Sequence, residues 1–137
     1  MRYVGLDWGE KRVGIAISDP QGKIAMPLKA VNREILLSEI EKLKEMYGEF
    51  EIVLGLPVRT DGVRGGRSES EALKLREDLE RMGIRVNVWK EWFSSVEAEK
   101  ILKTGETSWR RRRGKVDKVS AALILEAFLR SVSKGDR

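Results

Sequence analysis

Three strand patterns follow one another within the first 31 residues, and the connections between them are too short to carry the chain across a sheet. Residues 2–8 alternate, with Val4, Leu6 and Trp8 on one face and Tyr3, Gly5 and Asp7 on the other. Gly9-Glu10-Lys11 makes a short turn into a second strand from Arg12 to Ser18, centred on Val13, Gly14, Ile15, Ala16 and Ile17. Asp19-Pro20-Gln21-Gly22 has the composition of a β-turn, with Asp first, Pro second and Gly fourth, and a third strand is expected from Ile24 to Val31. Parallel neighbours need crossovers of roughly a dozen residues or more, so these three strands must be antiparallel.

From Arg33 the period changes. Ile35, Leu36, Ile40, Leu43 and Met46 or Tyr47 recur at helical spacing, and Gly48 is a natural stop. Ile52-Val53-Leu54-Gly55-Leu56 is the short apolar run of a strand buried on both faces. Pro57 to Gly66 holds three Gly and two Arg and reads as a loop that could close over a ligand. Ser68 and Glu71 form a capping-box pattern opening a helix to about Met82, and Ile84 to Trp89 is a fifth strand. A second capping box, Ser94 with Glu97, leads a short helix to Lys103, and a long apolar helix from Val116 to Val132 follows a basic loop. The order βββαβαβαα predicts one α/β domain over residues 1–137, a five-stranded mixed sheet with helices on both faces.

Composition narrows the chemistry. With no Cys and no His, zinc sites of the usual kind, thiol nucleophiles and imidazole bases are excluded. Hydrolysis would have to rest on carboxylates with hard, oxygen-seeking cations. The net charge of +5 comes from one place: Trp109-Arg110-Arg111-Arg112-Arg113-Gly114-Lys115 holds five cations, and outside it basic and acidic residues balance at 22 each. Such a concentrated field is suited to an anionic partner, with Arg forks matching phosphates and Trp109 able to stack on an unpaired base. Its plainer reading is a solvated basic loop. The first residues begin as a strand with no signal-peptide pattern, and the longest apolar stretches are too short to span a bilayer, so the expectation is cytoplasmic with no membrane partner.

Three carboxylates sit against this pattern. Asp7 ends an apolar strand, where Asp is disfavoured and a charge must be paired or bind a metal; a strand-end Asp accepting turn hydrogen bonds is the alternative. Asp117 lies one turn before Ala121 on the face that continues through Ile124 to Phe128, although a first-turn acid is also favoured by the helix dipole. Glu91 follows the fifth strand, at the end where ligands bind in open α/β sheets. Asp19 and Glu97 are explained by their turn and cap, and Asp61 by a solvated loop.

Gly5-Leu6-Asp7-Trp8-Gly9-Glu10-Lys11-Arg12-Val13-Gly14-Ile15-Ala16-Ile17-Ser18-Asp19 resembles the opening signature of the YqgF family, named as pre-16S rRNA nucleases and once described as Holliday junction resolvases. Gly55-Leu56-Pro57 with Asp61-Gly62 is similar to its second motif, and Val116-Asp117-Lys118-Val119-Ser120-Ala121-Ala122 with Ile124-Leu125 resembles its last. The resemblance implies a ribonuclease H-like fold and a site in which Asp7, Glu91 and Asp117 hold Mg²⁺ or Mn²⁺. One motif departs: the family's Asp-Glu-Arg-Leu before two hydroxyl residues is here Lys90-Glu91-Trp92-Phe93-Ser94-Ser95, keeping the Glu and losing the Asp and Arg.

The expectation is therefore a metal-dependent nuclease. Lys11, Arg12, Arg59, Arg64, Trp109, Arg110, Arg111, Arg112, Arg113 and Lys115 would bind the nucleic acid, RNA ahead of branched DNA, with a ribosomal precursor particle as a candidate partner. A Holliday junction resolvase-like enzyme and a binding module that has lost its chemistry remain as alternatives. A phosphotransferase is a third, since Asp7-Trp8-Gly9 before a hairpin also resembles the phosphate-binding opening of actin-like ATPases. Neither one subunit nor two is implied.

Overall fold

The first strand lies at the centre of the sheet because apolar residues cover both its faces and both its edges pair. A computed structural model describes residues 1–9, 11–57, 67–91 and 109–135. Strands β1 (Arg2–Trp8), β2 (Arg12–Ser18) and β3 (Ala25–Asn32) form an antiparallel meander. A 3-10 turn (Arg33–Ile35) leads into α1 (Leu36–Tyr47), then β4 (Phe50–Pro57), α2 (Arg67–Arg81), β5 (Val86–Glu91) and the long α3 (Trp109–Gly135). The strand order is β3-β2-β1-β4-β5, with β4 parallel to both β1 and β5. This is the mixed sheet that the closely spaced hairpins and later crossovers predict.

Each face has its own core. Val4, Leu6 and Trp8 of β1 join Ile52, Leu54 and Leu56 of β4 beneath Leu36, Ile40 and Leu43 of α1 and Ala72, Leu75 and Leu79 of α2. On the other face Ala121, Ile124, Leu125 and Leu129 of α3 cover Ala16 and Val53. Removing each Val, Ile or Leu side chain among these from water contributes roughly 1.5–3 kcal/mol, so α3 is held by packing rather than by propensity. Phe128 adds edge-on contacts to Tyr3 and Trp89, with ring centroids 5.4 and 6.0 Å apart.

Local chemistry sets the turns. Gly22 N–H donates to the Asp19 carbonyl at 3.0 Å, closing the expected β-turn, and Gly22 takes φ +69°, which a side chain would resist. The Asp19 carboxylate also accepts the backbone N–H groups of Ile24 at 2.8 Å and Lys23 at 2.7 Å. These bonds, Ile24's foremost, hold its carboxyl below the usual value of 3.8. Gly48 stops α1 at φ +81°, its N–H donating to Lys44 O at 2.9 Å.

Three local expectations are corrected. Trp109 to Lys115 is not a loop but the first turns of α3, because Arg is a good helix former and no Pro intervenes. Ile35 does not belong to the buried stripe of α1: it lies in the 3-10 turn and is 46% exposed. Ser68 is inside α2 rather than ahead of it, since the helix begins at Arg67. The expected loop from 58 to 66 and the short helix from Ser94 to Lys103 lie outside the described residues. Among the described residues no helix is long and apolar enough to cross a membrane.

Candidate active site

Asp7 sits near the C-terminal end of β1, opposite Gly14 of β2 and beside Gly55 of β4. Alternation puts it on the α3 side of the sheet, with Tyr3 and Gly5. That helix comes unusually close. A Cβ on Gly5 would stand 2.9 Å from Leu125 Cβ and 3.0 Å from the Ala121 carbonyl oxygen, and one on Gly55 would stand 2.5 Å from Ile124 Cδ1. Two strand glycines therefore let the backbone of α3 settle onto β1 and β4.

This contact fixes where the backbones of two predicted acid positions lie along β1. Phe128 lies over Tyr3, and Leu125 and Ala121 lie over Gly5, so α3 runs back along β1 in the opposite direction. From Gly5 to Asp7 the strand advances about 6–7 Å. From Ala121 to Asp117 the helix covers about 6 Å toward the same end. The backbone of Asp117 thus arrives at the level of Asp7. On the far side Trp89 pairs with Gly55 and Glu91 with Pro57, so the Glu91 position shares the Asp7 face, just beyond it. Lys90 pairs with Leu56, and its position has the parity of Val86 and Val88 rather than that of Glu91; Trp92 lies outside the described residues.

The cations divide. Lys11 is exposed in the turn after β1, and Arg12 opens β2 on the Asp7 side, one step past Gly14. Gly9 leaves no room for a ligand at its Cα, because a Cβ there would lie 2.7 Å from the Arg12 carbonyl oxygen. Arg59 and Arg64 lie outside the described residues. Trp109, Arg110, Arg111, Arg112, Arg113 and Lys115 occupy the start of α3, at the same end of the molecule as Asp117.

Two residues near the site carry no obvious mark in the sequence. Ser120, one turn after Asp117, is fully buried, and its hydroxyl has no hydrogen-bond partner among the described residues. A hydroxyl within an apolar stripe was the available signal. Arg33 packs its guanidinium 3.9 Å from the centre of the Trp8 ring and donates from Nε to the Gly9 carbonyl at 2.7 Å. Its partners come from distant parts of the chain, and local sequence offers no hint of them.

The same sheet and helices occur in RuvC of Thermus thermophilus. Its structure aligns at a TM-score of 0.56 with 16% identity over 97% of both chains. Its complex with a Holliday junction substrate aligns at 0.54 with 12% identity over 96% of both. Likeness at this identity defines the fold, which is ribonuclease H-like. The chain belongs to the RuvX Holliday junction resolvase family, whose model matches residues 1–131. Proteins provisionally named pre-16S rRNA nucleases are similar throughout. That of Carboxydothermus hydrogenoformans is 39% identical over 98% of this chain and 99% of its own. That of Syntrophomonas wolfei is 39% identical over 98% of each. The class is thus a nuclease of ribonuclease H-like fold.

Proposed function

We propose that this chain hydrolyses phosphodiester bonds with divalent cations held by Asp7, Glu91 and Asp117, and that its substrate is the end of a ribosomal RNA precursor. The observation that carries the reading is that β1 and β5, parallel to β4 between them, end at the same edge of the sheet, each with one of these acids near its end, while α3, which carries the third near its start, runs back along β1. Carboxylate oxygens are the ligands that Mg²⁺ and Mn²⁺ prefer, so the donor set fits the cation class. When bound, such cations lower the pKa of an attacking water and offset charge on the leaving oxygen. Asp7, on the central strand, would be the principal holder of these cations. Asp117 and Glu91 complete the set, and Glu91 could instead orient the water.

The phosphate backbone would be held by Lys11 and Arg12 beside Asp7, by Arg59 and Arg64, and by the basic start of α3. Cations in the first turns of a helix oppose its dipole, and α3 has no acid in its first turn. An anionic strand laid across Arg110 to Arg113 would offset that cost. Trp109 is available to stack on a base. A ribosomal precursor particle is the natural setting for this reading, in the cytoplasm.

A junction-cutting DNA nuclease is the second reading, favoured by the family's resolvase description and by the RuvC neighbour solved with a junction. The test is cleavage of a labelled RNA bearing a precursor end and of a four-way DNA junction, each with Mn²⁺, Mg²⁺ or EDTA. Metal-dependent cutting of the RNA, absent in Asp7→Asn and in Asp117→Asn, is expected. Cutting of the junction alone would favour the second reading. Tight, salt-sensitive binding without cutting would point to a binding module and to Lys90 and Trp92, and undiminished cutting by either variant would overturn the site.

A further inference from the structure

We infer that Arg33 is a positioning residue of this site: it locks the turn that follows Asp7 and ties it to α2. The inference rests on the assignment of Asp7 to the reaction centre. Arg33 stands in the 3-10 turn between β3 and α1, on the face of the sheet opposite Asp7, and so has no route to the substrate except through the turn.

Four contacts converge on it. Its backbone N–H donates to the Lys11 carbonyl at 3.2 Å, and its Nε donates to the Gly9 carbonyl at 2.7 Å. Its guanidinium lies 3.9 Å from the centre of the Trp8 ring, and its Nη1 meets Glu71 Oε2 at 3.1 Å. The side chain is only 19% exposed, so these contacts are less screened than those of a surface pair. Trp8 and Gly9 directly follow Asp7, and Lys11 directly precedes Arg12. Within the turn, Gly9 N–H donates to the Arg12 carbonyl at 3.0 Å, which leaves the Gly9 carbonyl for Arg33.

Only the planar fork of an arginine serves the carbonyl, the ring and the carboxylate together; an ammonium is one point charge. Glu71 lies early in α2, the helix entered from residues 58–66. One guanidinium therefore joins the connection leaving β1 to the helix that follows β4. Without it the turn after β1 would lose its tie to α2, and the end of the strand that carries Asp7 would open more readily.

The test uses the full chain with Arg33→Lys and Glu71→Gln, and Asp7→Asn as the control for the site itself. Steady-state cleavage and amide hydrogen exchange are measured well below the melting temperature. Arg33→Lys is expected to lower kcat about tenfold or more with KM within about threefold, since small misplacements of reacting groups are costly. Gly9 N–H should exchange at least about tenfold faster while Leu6 N–H, in the strand centre, is unchanged. Glu71→Gln should move both readouts the same way by about threefold, and it carries the test alone should Arg33→Lys not fold. Faster exchange with unchanged kcat, or reduced kcat with unchanged exchange, would overturn the inference, as would no change in either. Undiminished cleavage by Asp7→Asn would instead refute the site assignment, and the inference with it.

Discussion

Placing a methyl group on Gly5 tests whether the closeness of α3 to β1 builds the site. The added carbon of Gly5→Ala would meet Leu125 Cβ at 2.9 Å and the Ala121 carbonyl oxygen at 3.0 Å. Carbon atoms rest at roughly 3.5–4.0 Å, so the helix must withdraw by about half an ångström to one ångström. No rotamer change relieves the clash, because the obstructing atoms belong to or adjoin the helix backbone. Overpacking of this kind costs about 1–3 kcal/mol, and loss of unfolded-state freedom on replacing Gly returns about 0.4–1 kcal/mol. The net expectation is a destabilisation of about 1–2 kcal/mol, or roughly 4–8 °C in Tm for a chain of this size. Withdrawal of α3 also carries Asp117 away from Asp7, so cleavage should fall by up to about a hundredfold at temperatures where the variant is folded.

Gly55 supplies the control. There the obstructing atoms are Ile124 Cδ1, Cγ2 and Cγ1, at 2.5, 3.0 and 3.2 Å, all of them side-chain atoms. Ile124→Ala alone should cost about 2–5 kcal/mol, since it empties a buried position. Combined with Gly55→Ala it should cost at least about 1 kcal/mol less than the two added separately, because the new methyl occupies the vacated space. Leu125→Ala cannot rescue Gly5→Ala in this way, for its own Cβ and the Ala121 oxygen remain. Thermal unfolding by circular dichroism and a cleavage assay measure all four variants. A Gly5→Ala protein within about 0.5 kcal/mol of wild type and fully active would refute the claimed contact between α3 and the central strand.

Three further outcomes can be measured on the same protein. Ser18→Ala removes the buried hydroxyl that accepts Tyr3 N–H at 2.8 Å and should cost about 1–3 kcal/mol in denaturant unfolding; a change near zero would mean that water replaces it. Asp19→Ala should destabilise the protein at neutral pH, and the difference from wild type should vanish in acid. The folded carboxyl titrates below the unfolded value of 3.8, so its contribution is complete above that value and is lost as pH falls through the lower folded pKa. A difference that persists at pH 2 would show that the turn is held by something else. Changing Arg110, Arg111, Arg112 and Arg113 together to Gln should flatten the salt dependence of single-strand binding. The slope of log affinity against log salt, roughly −3.5 when five phosphates are met, should approach roughly −0.7; an unchanged slope would remove this run from the interface.

What could be read from sequence was what neighbours in sequence decide. The antiparallel meander followed from turn lengths, and the Asp19 turn from the residue types of four consecutive positions, each acting over a few ångströms. The start of α3 was misread because an unbroken run of arginines suggests solvent, while arginine's own preference is helical. Asp7 and Asp117 stand out as candidates in the sequence, since a carboxylate at the end of an apolar stripe is out of place wherever the stripe packs. The seating of α3 on the central strands was another matter. It depends on two glycines, Gly5 and Gly55, which look in sequence like weak points of their strands and in the fold are what admits the helix. Arg33 was invisible for a related reason: its partners Gly9 and Glu71 stand 24 and 38 positions away, and nothing local distinguishes it from the other exposed-looking cations of a basic chain. A candidate for reaction stands out by chemistry that does not suit its surroundings, whereas a candidate for positioning is an ordinary side chain in an uncommon place. The second kind becomes visible only once the chain has folded.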